Sequence, residues 1–239
     1  MKRISLWSGP RNVSTAIMYS FAQRPDTRVV DEPLYGHYLQ VSGAQHPGRE
    51  EVLAHMELNG DKVVAQLIND DFERPLLFIK NMAHHLLHLD SAFLPGLHNL
   101  LLIRDPKEML PSLVNQIPQP QMIDTAYKMQ WDLYEQLVDL GQRPTVIDSR
   151  ELLLEPANIL RQVCEKTAIP YYPEMTSWQP GPRPEDGIWA PHWYHQVHKS
   201  TGFAPYKPKE ESVRPDLQPL LKECQYYYDL LFAEALKRH

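Results

Sequence analysis

The apolar positions of this chain fall into short continuous runs, most of them followed by a helical pattern. Five runs have the length and unbroken apolar character of strands buried in a parallel sheet. They are residues 4–7, 28–31, 76–79, 100–103 and 145–147. Helical patterns follow four of them, at 14–22, 82–88, 107–115 and 157–166. This alternation predicts an α/β fold of three layers, with a central, mostly parallel five-stranded sheet between helices.

The remaining segments are assigned to the same domain, so that we predict a single domain over residues 1–239. Residues 45–71 are more polar than their surroundings. They predict a helical elaboration of the domain, with helices at 50–58 and 62–69.

The second half of the chain carries three longer features. Residues 119–140 predict one long amphipathic helix, and residues 214–238 predict a C-terminal helix that packs back on the body. Residues 176–208 are rich in Pro, Gly, His and Trp. They predict a long active-site loop, because loops of this length in compact domains are usually functional or disordered, and the aromatic residues argue against disorder.

Composition and charge restrict the partners. The net charge of −6 argues against a broad nucleic-acid-binding face, but leaves room for a local basic pocket. No stretch reaches the roughly 20 apolar residues that cross a bilayer, and the N-terminus is typical of a first strand and not of a signal peptide. The only two cysteines, Cys164 and Cys224, indicate a reducing compartment. We expect a cytoplasmic monomer or homodimer that uses neither nucleic acid nor membrane as a partner.

The segment LWSGPRNVSTAIMYSF indicates a phosphate site. Gly9 and Pro10 make a corner after the first strand, and the N–H groups at the start of the next helix favour an anion. Arg11 adds a guanidinium that matches a phosphate. The Lys of a nucleotide-hydrolysing loop is absent, since Ser14 and Thr15 stand where Gly-Lys is expected. The alternative is a plain strand–turn–helix with Ser14 as the cap.

A second phosphate element follows the fourth strand. Arg104 stands at the strand end and Ser112 lies eight residues later, inside the next helix. An arginine and a hydroxyl together can hold a phosphate. The alternative is that Arg104 pairs with Asp105 or Glu108.

These two elements resemble those of the sulfotransferases that use 3′-phosphoadenosine 5′-phosphosulfate (PAPS). In that family the first strand runs into a Pro-Lys/Arg-Ser-Gly-Thr-Thr loop around the 5′-phosphosulfate. Here it reads Pro10-Arg11-Asn12-Val13-Ser14-Thr15. The family's strand-end Arg and the Ser eight residues on hold the 3′-phosphate, as Arg104 and Ser112 would.

A late element, Gly-x-Trp-x-x-His-aromatic, also fits at Gly187-Ile188-Trp189-Ala190-Pro191-His192-Trp193. The resemblance implies a fold like that of the P-loop nucleotide kinases and PAPS as sulfuryl donor, with no metal. It also implies that the donor is bound by Gly9, Pro10, Arg11, Asn12, Val13, Ser14, Thr15, Arg104, Ser112, Arg183 and Trp189. Val13 replaces the loop's usual Gly, so we expect the loop to take a different path or to approach the phosphate less closely.

The resemblance and the strand-end positions together name the candidate catalytic residues. Arg11 and Lys80 would stabilise the leaving phosphate oxygen. Glu32, just past the second strand, is our first candidate for the general base, and His84 or His85, just past the third, is the alternative.

The late loop and the overall function leave alternatives open. The aromatic residues around Trp189 could line the acceptor pocket or stack on adenine. The acceptor is expected to be the hydroxyl or amine of a small molecule. A small-molecule kinase of the same architecture and a non-catalytic nucleotide-binding module are the alternatives, and Mg²⁺ dependence separates the kinase from the sulfotransferase.

Overall fold

Five parallel strands form the sheet in a computed structural model that describes residues 1–208 and 211–238. They are β1 (Lys2–Ser8), β2 (Thr27–Asp31), β3 (Leu76–Met82), β4 (His98–Ile103) and β5 (Thr145–Asp148). Their order across the sheet is β2-β3-β1-β4-β5, and all four neighbouring pairs are parallel. The predicted strands and the α/β fold class are confirmed, and β1 lies at the centre with β3 and β4 beside it.

Helices cover both faces of this sheet. They are α1 (Ser14–Ala22), α2 (Tyr35–Ser42), α3 (Arg49–His55), α4 (Gly60–Asn69), α5 (Pro106–Leu113), α6 (Met122–Thr125), α7 (Tyr127–Asp139), α8 (Ser149–Leu154), α9 (Pro156–Lys166), α10 (Ala190–Trp193) and α11 (Gln218–Ala233). Short 3₁₀ segments lie at Ala83–Leu86, Ser91–Gly96, Pro173–Thr176, Val197–Lys199 and Pro215–Leu217.

Alternate strand residues pack into two separate cores, which is why most positions of the central strands are apolar. On β4, Leu100 and Leu102 pack with Ile17 of α1 and Leu160 of α9. Leu101 and Ile103 face the other way, toward α4, α5, α7 and α11. Both faces of each central strand are therefore removed from water, as in other three-layer α/β folds.

Three predicted helices differ from those observed. β3 runs on to Met82, and only the 3₁₀ turn Ala83–Leu86 replaces the helix predicted at 82–88. The helix predicted at 119–140 is two helices, because Ala126 between them has a φ of 66° and cannot continue a right-handed helix. The C-terminal helix begins at Gln218 and ends at Ala233, inside the predicted 214–238.

Three helices were absent from the prediction: α2, α8 and α10. The first residue of α8 directly follows β5, α2 begins at the fourth residue after β2, and α10 lies within the predicted loop at 176–208. In the described part of the chain, no helix has the length and hydropathy needed to cross a membrane. Cys164 on α9 and Cys224 on α11 are buried free thiols.

Candidate active site

The loop between β1 and α1 turns at Arg11. Its φ is 53°, in the left-handed region that few residues other than glycine adopt, whereas Val13 has an ordinary φ of −93°. The change in the path of the loop, which we expected because of Val13, therefore occurs at Arg11, two residues earlier. Val13 directly precedes α1 and needs no unfavourable backbone conformation there.

Side-chain hydrogen bonds hold this loop against the sheet. Asn12 Nδ2 donates to the carbonyl of Leu102 on β4 at 3.2 Å, and Asn12 Oδ1 accepts from the N–H of Val13 at 2.8 Å. Gln130 of α7 donates to the carbonyls of Trp7 and Leu102 at 3.1 and 2.9 Å, where β1 and β4 end. Sequence analysis missed Gln130, because its role depends on where α7 crosses the sheet.

The first turn of α1 presents open donors to the loop. Among the hydrogen bonds of residues 1–208 and 211–238, none is donated by the backbone N–H of Ser14 or Thr15. Unpaired N–H groups at a helix start carry partial positive charge and favour an anion.

Two arginines meet beside this helix start. Arg104 follows β4, which is the neighbour of β1, and its Nη1 donates to the carbonyl of Arg11 at 2.7 Å. Arg11 Nε donates to Ser112 Oγ of α5 at 2.9 Å. Burial, and then the charge of Arg104, lower the pKa of Arg11. The structure thus brings Arg11 of the first predicted phosphate element together with Arg104 and Ser112 of the second.

The carboxylate of Glu108 forms an ion pair with one of these two arginines. Arg104 Nη2 lies 3.4 Å from Glu108 Oε2, so the pairing considered as the alternative for Arg104 is present. The Tyr206 hydroxyl donates to the other oxygen of Glu108. Arg11 has no ion pair within the described ranges, so one positive charge of the arginine pair is left without a protein counter-ion.

Lys80, at the end of β3, lies in a buried ionic network. Its Nζ donates to Asp31 Oδ1 at 3.0 Å, to Glu32 Oε1 at 2.6 Å and to the Tyr194 hydroxyl at 2.5 Å. Burial opposes the charge of Lys80, but the carboxylates of Asp31 and Glu32 outweigh it and raise its pKa well above the ordinary value. All three ammonium protons already have partners, so the predicted contact with a leaving oxygen would require exchanging one of them.

Asp31 ties the late loop to β2. Its Oδ2 accepts from the backbone N–H of Gly187 at 3.0 Å and from the Tyr194 hydroxyl at 2.7 Å. A Cβ on Gly187 would lie 2.1 Å from the ring of Trp189, so only glycine permits this close turn. Neither Asp31 nor Tyr194 was predicted as a site residue, although Asp31 was noted at a strand end.

Glu32 presents its second oxygen to a histidine. Oε2 lies 3.8 Å from Nε2 of His85, a side chain that is fully buried. Burial, and then the positive charge of Lys80, keep the pKa of His85 well below its ordinary value, so the ring is neutral at pH 7. Glu32, the first candidate for the base, and His85, one of the two alternative histidines, are therefore neighbours. His84 lies in the same turn, its ring centroid 4.9 Å from that of His85.

The hydrogen bonds and ring contacts of Trp189 and Arg183 join them to residues outside the loop at residues 9–13. Trp189 is buried, with its ring edge-on to Tyr35 and its Nε1 donating to the Tyr194 hydroxyl at 3.2 Å. It therefore lies on the Glu32 side, which favours the acceptor wall over the adenine stack. Arg183 lies over the Tyr19 ring of α1, 4.3 Å from its centroid, and donates from Nη2 to the carbonyl of Gln179.

Comparison with known proteins agrees with the observed fold. A protein-family model described as "Sulfotransferase domain" matches residues 1–235. Three solved structures align over nearly their whole length. The Sulfotransferase Domain from the Curacin Biosynthetic Pathway has a TM-score of 0.55 at 16% identity, covering 99% of both chains. The Sulfotransferase from Alicyclobacillus acidocaldarius has 0.56 at 11%, covering 99% of this chain and 98% of that one. The Sulfotransferase Domain from the Synechococcus PCC 7002 Olefin Synthase has 0.53 at 16%, covering 98% and 96%.

Two curated relatives come from Arabidopsis thaliana. The chain is 39% identical over 229 residues to Branched-chain-amino-acid aminotransferase-like protein 1, and 37% identical over 232 residues to protein 2 of that name. The matches cover 95% and 97% of this chain but only 41% of each relative. The chain thus corresponds to less than half of either plant protein, and their names describe those proteins as wholes.

Proposed function

The chain belongs to the sulfotransferase domain family, and on this basis we propose that it moves a sulfuryl group from PAPS to a hydroxyl or amine of a small-molecule acceptor. The observation that carries the proposal is the meeting of Arg11, Arg104 and Ser112 at the ends of two neighbouring strands. One arginine lies in a helix-start loop and the other follows the adjacent strand, which suits a ligand with two separate phosphates.

The residues present fit such a donor. The N–H groups of Ser14 and Thr15 and the guanidinium of Arg11 would hold the 5′ end. Arg104 and Ser112 would hold the 3′-phosphate, in partial exchange for Glu108 and for the mutual contact of Arg11 with Ser112. Gly9, Pro10, Asn12 and Val13 would shape the loop around it.

The chemistry requires a proton acceptor and a way to stabilise the leaving group. Glu32 Oε2 would take the proton of the acceptor hydroxyl while the acceptor oxygen forms its bond to sulfur. The bond between sulfur and the 5′-phosphate oxygen breaks, and its electron pair leaves with 3′,5′-bisphosphoadenosine. Arg11 would stabilise that oxygen, and a single well-placed donor of this kind is worth about 3–4 kcal/mol.

Lys80 has a different role in this proposal from the one expected. Its bond to Glu32 Oε1 fixes the orientation of the carboxylate, so that Oε2 is the oxygen left to act as the base. Lys80 is still the cation that β3 brings to the site. A sulfuryl oxygen could reach its ammonium group only by displacing one of the present partners, Tyr194, Asp31 or Glu32.

Thermal unfolding with added nucleotide tests the proposal. A ligand at 100 times its Kd stabilises the native state by about 2.7 kcal/mol. For a chain of this size that corresponds to roughly 5–10 °C in Tm. We expect such a shift with 3′,5′-bisphosphoadenosine and little shift with ATP or ADP, with or without Mg²⁺.

Other outcomes identify the alternatives. A shift that requires ATP and Mg²⁺ would support the small-molecule kinase and contradict our proposal. A shift with 3′,5′-bisphosphoadenosine, without sulfation of any acceptor offered with PAPS, would favour the non-catalytic module.

A further inference from the structure

The buried face of α7 changes in character along the helix. Its side chains, three or four residues apart, are Tyr127, Gln130, Leu133 and Leu137. The two leucines pack into the core, as a helical period predicts. The first two side chains carry polar groups, although Tyr127 is 2% exposed and Gln130 is 1% exposed. A buried polar group is costly unless it is hydrogen-bonded, so the partners of these two side chains show what this end of the helix holds.

Gln130 joins the ends of two strands. The pairing of β1 with β4 ends at Leu102. Beyond that point β1 enters the loop at residues 9–13, which we call the phosphate loop, and β4 leads to Arg104. Gln130 Nε2 donates to the carbonyl of Trp7 on β1 at 3.1 Å and to that of Leu102 at 2.9 Å. One amide group therefore bridges the point at which the two chains separate.

Tyr127 holds the second phosphate element from the same side. Its hydroxyl donates to the carbonyl of Arg104 at 2.7 Å. Burial raises the pKa of Tyr127 well above its ordinary value, so the hydroxyl keeps the proton that it donates. Because Gln130 lies three residues later, both side chains leave α7 on one face. One end of one helix is thus bonded to the backbone at the ends of both strands.

The start of α7 also contacts the phosphate loop itself. A Cβ on Gly9 would lie 3.3 Å from the carbonyl oxygen of Thr125, closer than side chains usually pack, and 3.4 Å from Gln130 Oε1. Glycine at this position therefore lets the helix approach the loop. Asn12 Nδ2 donates at 3.2 Å to the same Leu102 carbonyl that Gln130 uses. The loop, β4 and α7 thus share one carbonyl oxygen.

These contacts differ from those that a bound nucleotide would disturb. In the proposed function, Arg11 and Ser112 exchange their mutual hydrogen bond for phosphate oxygens. Arg104 exchanges Glu108 in part. The donors on α7 face backbone carbonyls, and a phosphate cannot take their place by bonding to a carbonyl, since both are acceptors. The bonds from α7 can therefore persist with nucleotide bound, when the contacts between the ligand-binding side chains have changed.

We infer that Gln130 and Tyr127 are positioning residues that set the spacing of the two phosphate elements, so that the site favours a nucleotide with a phosphate at each end. This inference rests on the proposed function. One ribose joins the two phosphates of 3′,5′-bisphosphoadenosine and limits their separation. Both phosphates bind fully only when the two elements stand at that separation, whereas a nucleotide with one phosphate needs only one element. Both residues act through the backbone and not by touching the nucleotide.

Three nucleotides test this spacing: 3′,5′-bisphosphoadenosine, adenosine 5′-phosphate and adenosine 3′-phosphate. Their Kd values are measured by titration calorimetry for the wild type and for Gln130→Met, whose side chain has a similar length but donates no hydrogen bond. We expect the variant to bind the bisphosphate on the order of tenfold more weakly, and each monophosphate within about threefold of the wild type. No loss for the bisphosphate, or a loss that either monophosphate matches, overturns the inference.

Gln136→Met is the matched control, because it makes the same substitution on the same helix. Gln136 is exposed, and its Nε2 donates to Ser91 Oγ at 2.6 Å, in the segment before β4. We expect all three Kd values of this variant to equal those of the wild type. A preferential loss of the bisphosphate here, as large as in Gln130→Met, would contradict the role assigned to Gln130.

A milder variant keeps the test valid if Gln130→Met does not fold. Tyr127→Phe retains the packed ring and removes only the hydroxyl that holds the Arg104 carbonyl. It should weaken the bisphosphate about fivefold and each monophosphate by no more than about twofold. Tyr134→Phe, at a half-buried position of the same helix, is its control. Equal affinities of the two phenylalanine variants for the bisphosphate overturn the inference for Tyr127.

The wild-type titrations separate this inference from the proposed function. If the wild type binds 3′,5′-bisphosphoadenosine no more tightly than the monophosphates, the proposed function itself is contradicted. If the wild type prefers the bisphosphate and both variants retain that preference in full, the spacing inference alone is overturned.

Discussion

Glu32 is held in a backbone conformation that its side chain does not favour, with a φ of 40°. Its N–H donates to the Lys80 carbonyl at 2.8 Å, and its carbonyl accepts from the N–H of Tyr35 at 2.9 Å. Such conformations cost about 1–3 kcal/mol and persist where the surroundings enforce them, often at functional sites. Here the turn directs one carboxylate oxygen to Lys80 and the other toward His85.

At this scale we predict that Glu32→Gln removes turnover but not nucleotide binding. A general base contributes roughly 10²–10⁴-fold to the rate. We therefore expect kcat to fall by about that factor, while the Kd of 3′,5′-bisphosphoadenosine stays within twofold. Glu165→Gln, at an exposed position of α9, is the control. Full activity in Glu32→Gln would transfer the role of base to His85.

The sequence located Glu32, Lys80 and His85 but not their relation. All three follow predicted strands, so their position at one edge of the sheet could be inferred from topology alone. Topology alone could not predict that Asp31, Glu32 and Tyr194 accept all three ammonium protons of Lys80. Tyr194 comes from a loop 114 residues away, and no periodic pattern determines the path of that loop.

The segment from β1 to α1 is the element on which the nucleotide proposal depends. Its sharp turn falls at Arg11, and Val13 packs against the core that covers α1. The family glycine is therefore not needed at position 13 in this chain.

For this element we predict that Val13→Gly gains nothing. Glycine at an ordinary φ adds freedom to the unfolded chain and costs about 0.4–1 kcal/mol, with the loss of a packed side chain in addition. Thermal unfolding should show a Tm lower by at least 1–3 °C, with no gain in affinity for 3′,5′-bisphosphoadenosine. An unchanged Tm together with tighter nucleotide binding would mean that Val13 restrains the loop after all.

Among the other elements, prediction succeeded where a pattern repeats and failed where one residue decides. The strands were found because both faces of the sheet are buried, so that apolar residues follow one another along most of each strand. The break at Ala126 was missed because alanine is a strong helix former, and tertiary packing alone sets its φ of 66°.

For the whole molecule, the sheet order accounts for how distant segments form one site. β1 and β4 are neighbours and carry the two arginines, while β2 and β3 lie on the other side of β1 and carry Glu32 and Lys80. At about 4.8 Å per strand, Glu32 lies about two strand spacings from the phosphate loop. In the proposed function, that separation would place the phosphates on one side and the acceptor on the other.

The buried histidines make stability depend on pH. The pKa of His84 and of His85 is well below 6.5 in the folded protein, chiefly through burial. The unfolded state therefore binds more protons as the pH falls below about 6.5, and stability decreases there. Urea unfolding at pH 7.5 and 5.5 should show a loss of up to about 1.4 kcal/mol per buried histidine.

A variant isolates this contribution from other titrating groups. His84→Phe, which retains an aromatic ring, should lose less free energy of unfolding between the two pH values than the wild type. His55→Phe on exposed α3 should behave like the wild type. The same pH dependence in all three proteins would show that His84 is not held neutral by the fold.

The most direct measurement of the central claim compares the Kd of 3′,5′-bisphosphoadenosine with that of adenosine 5′-phosphate, in the wild type, in Arg104→Ala and in the control Arg161→Ala. Loss of a hydrogen bond to a charged group costs about 1.5–3 kcal/mol, so Arg104→Ala should weaken the bisphosphate by roughly 10–100-fold. Its effect on adenosine 5′-phosphate should be within about threefold. Equal losses for the two nucleotides, or none for either, would contradict the assignment of Arg104 to the 3′-phosphate.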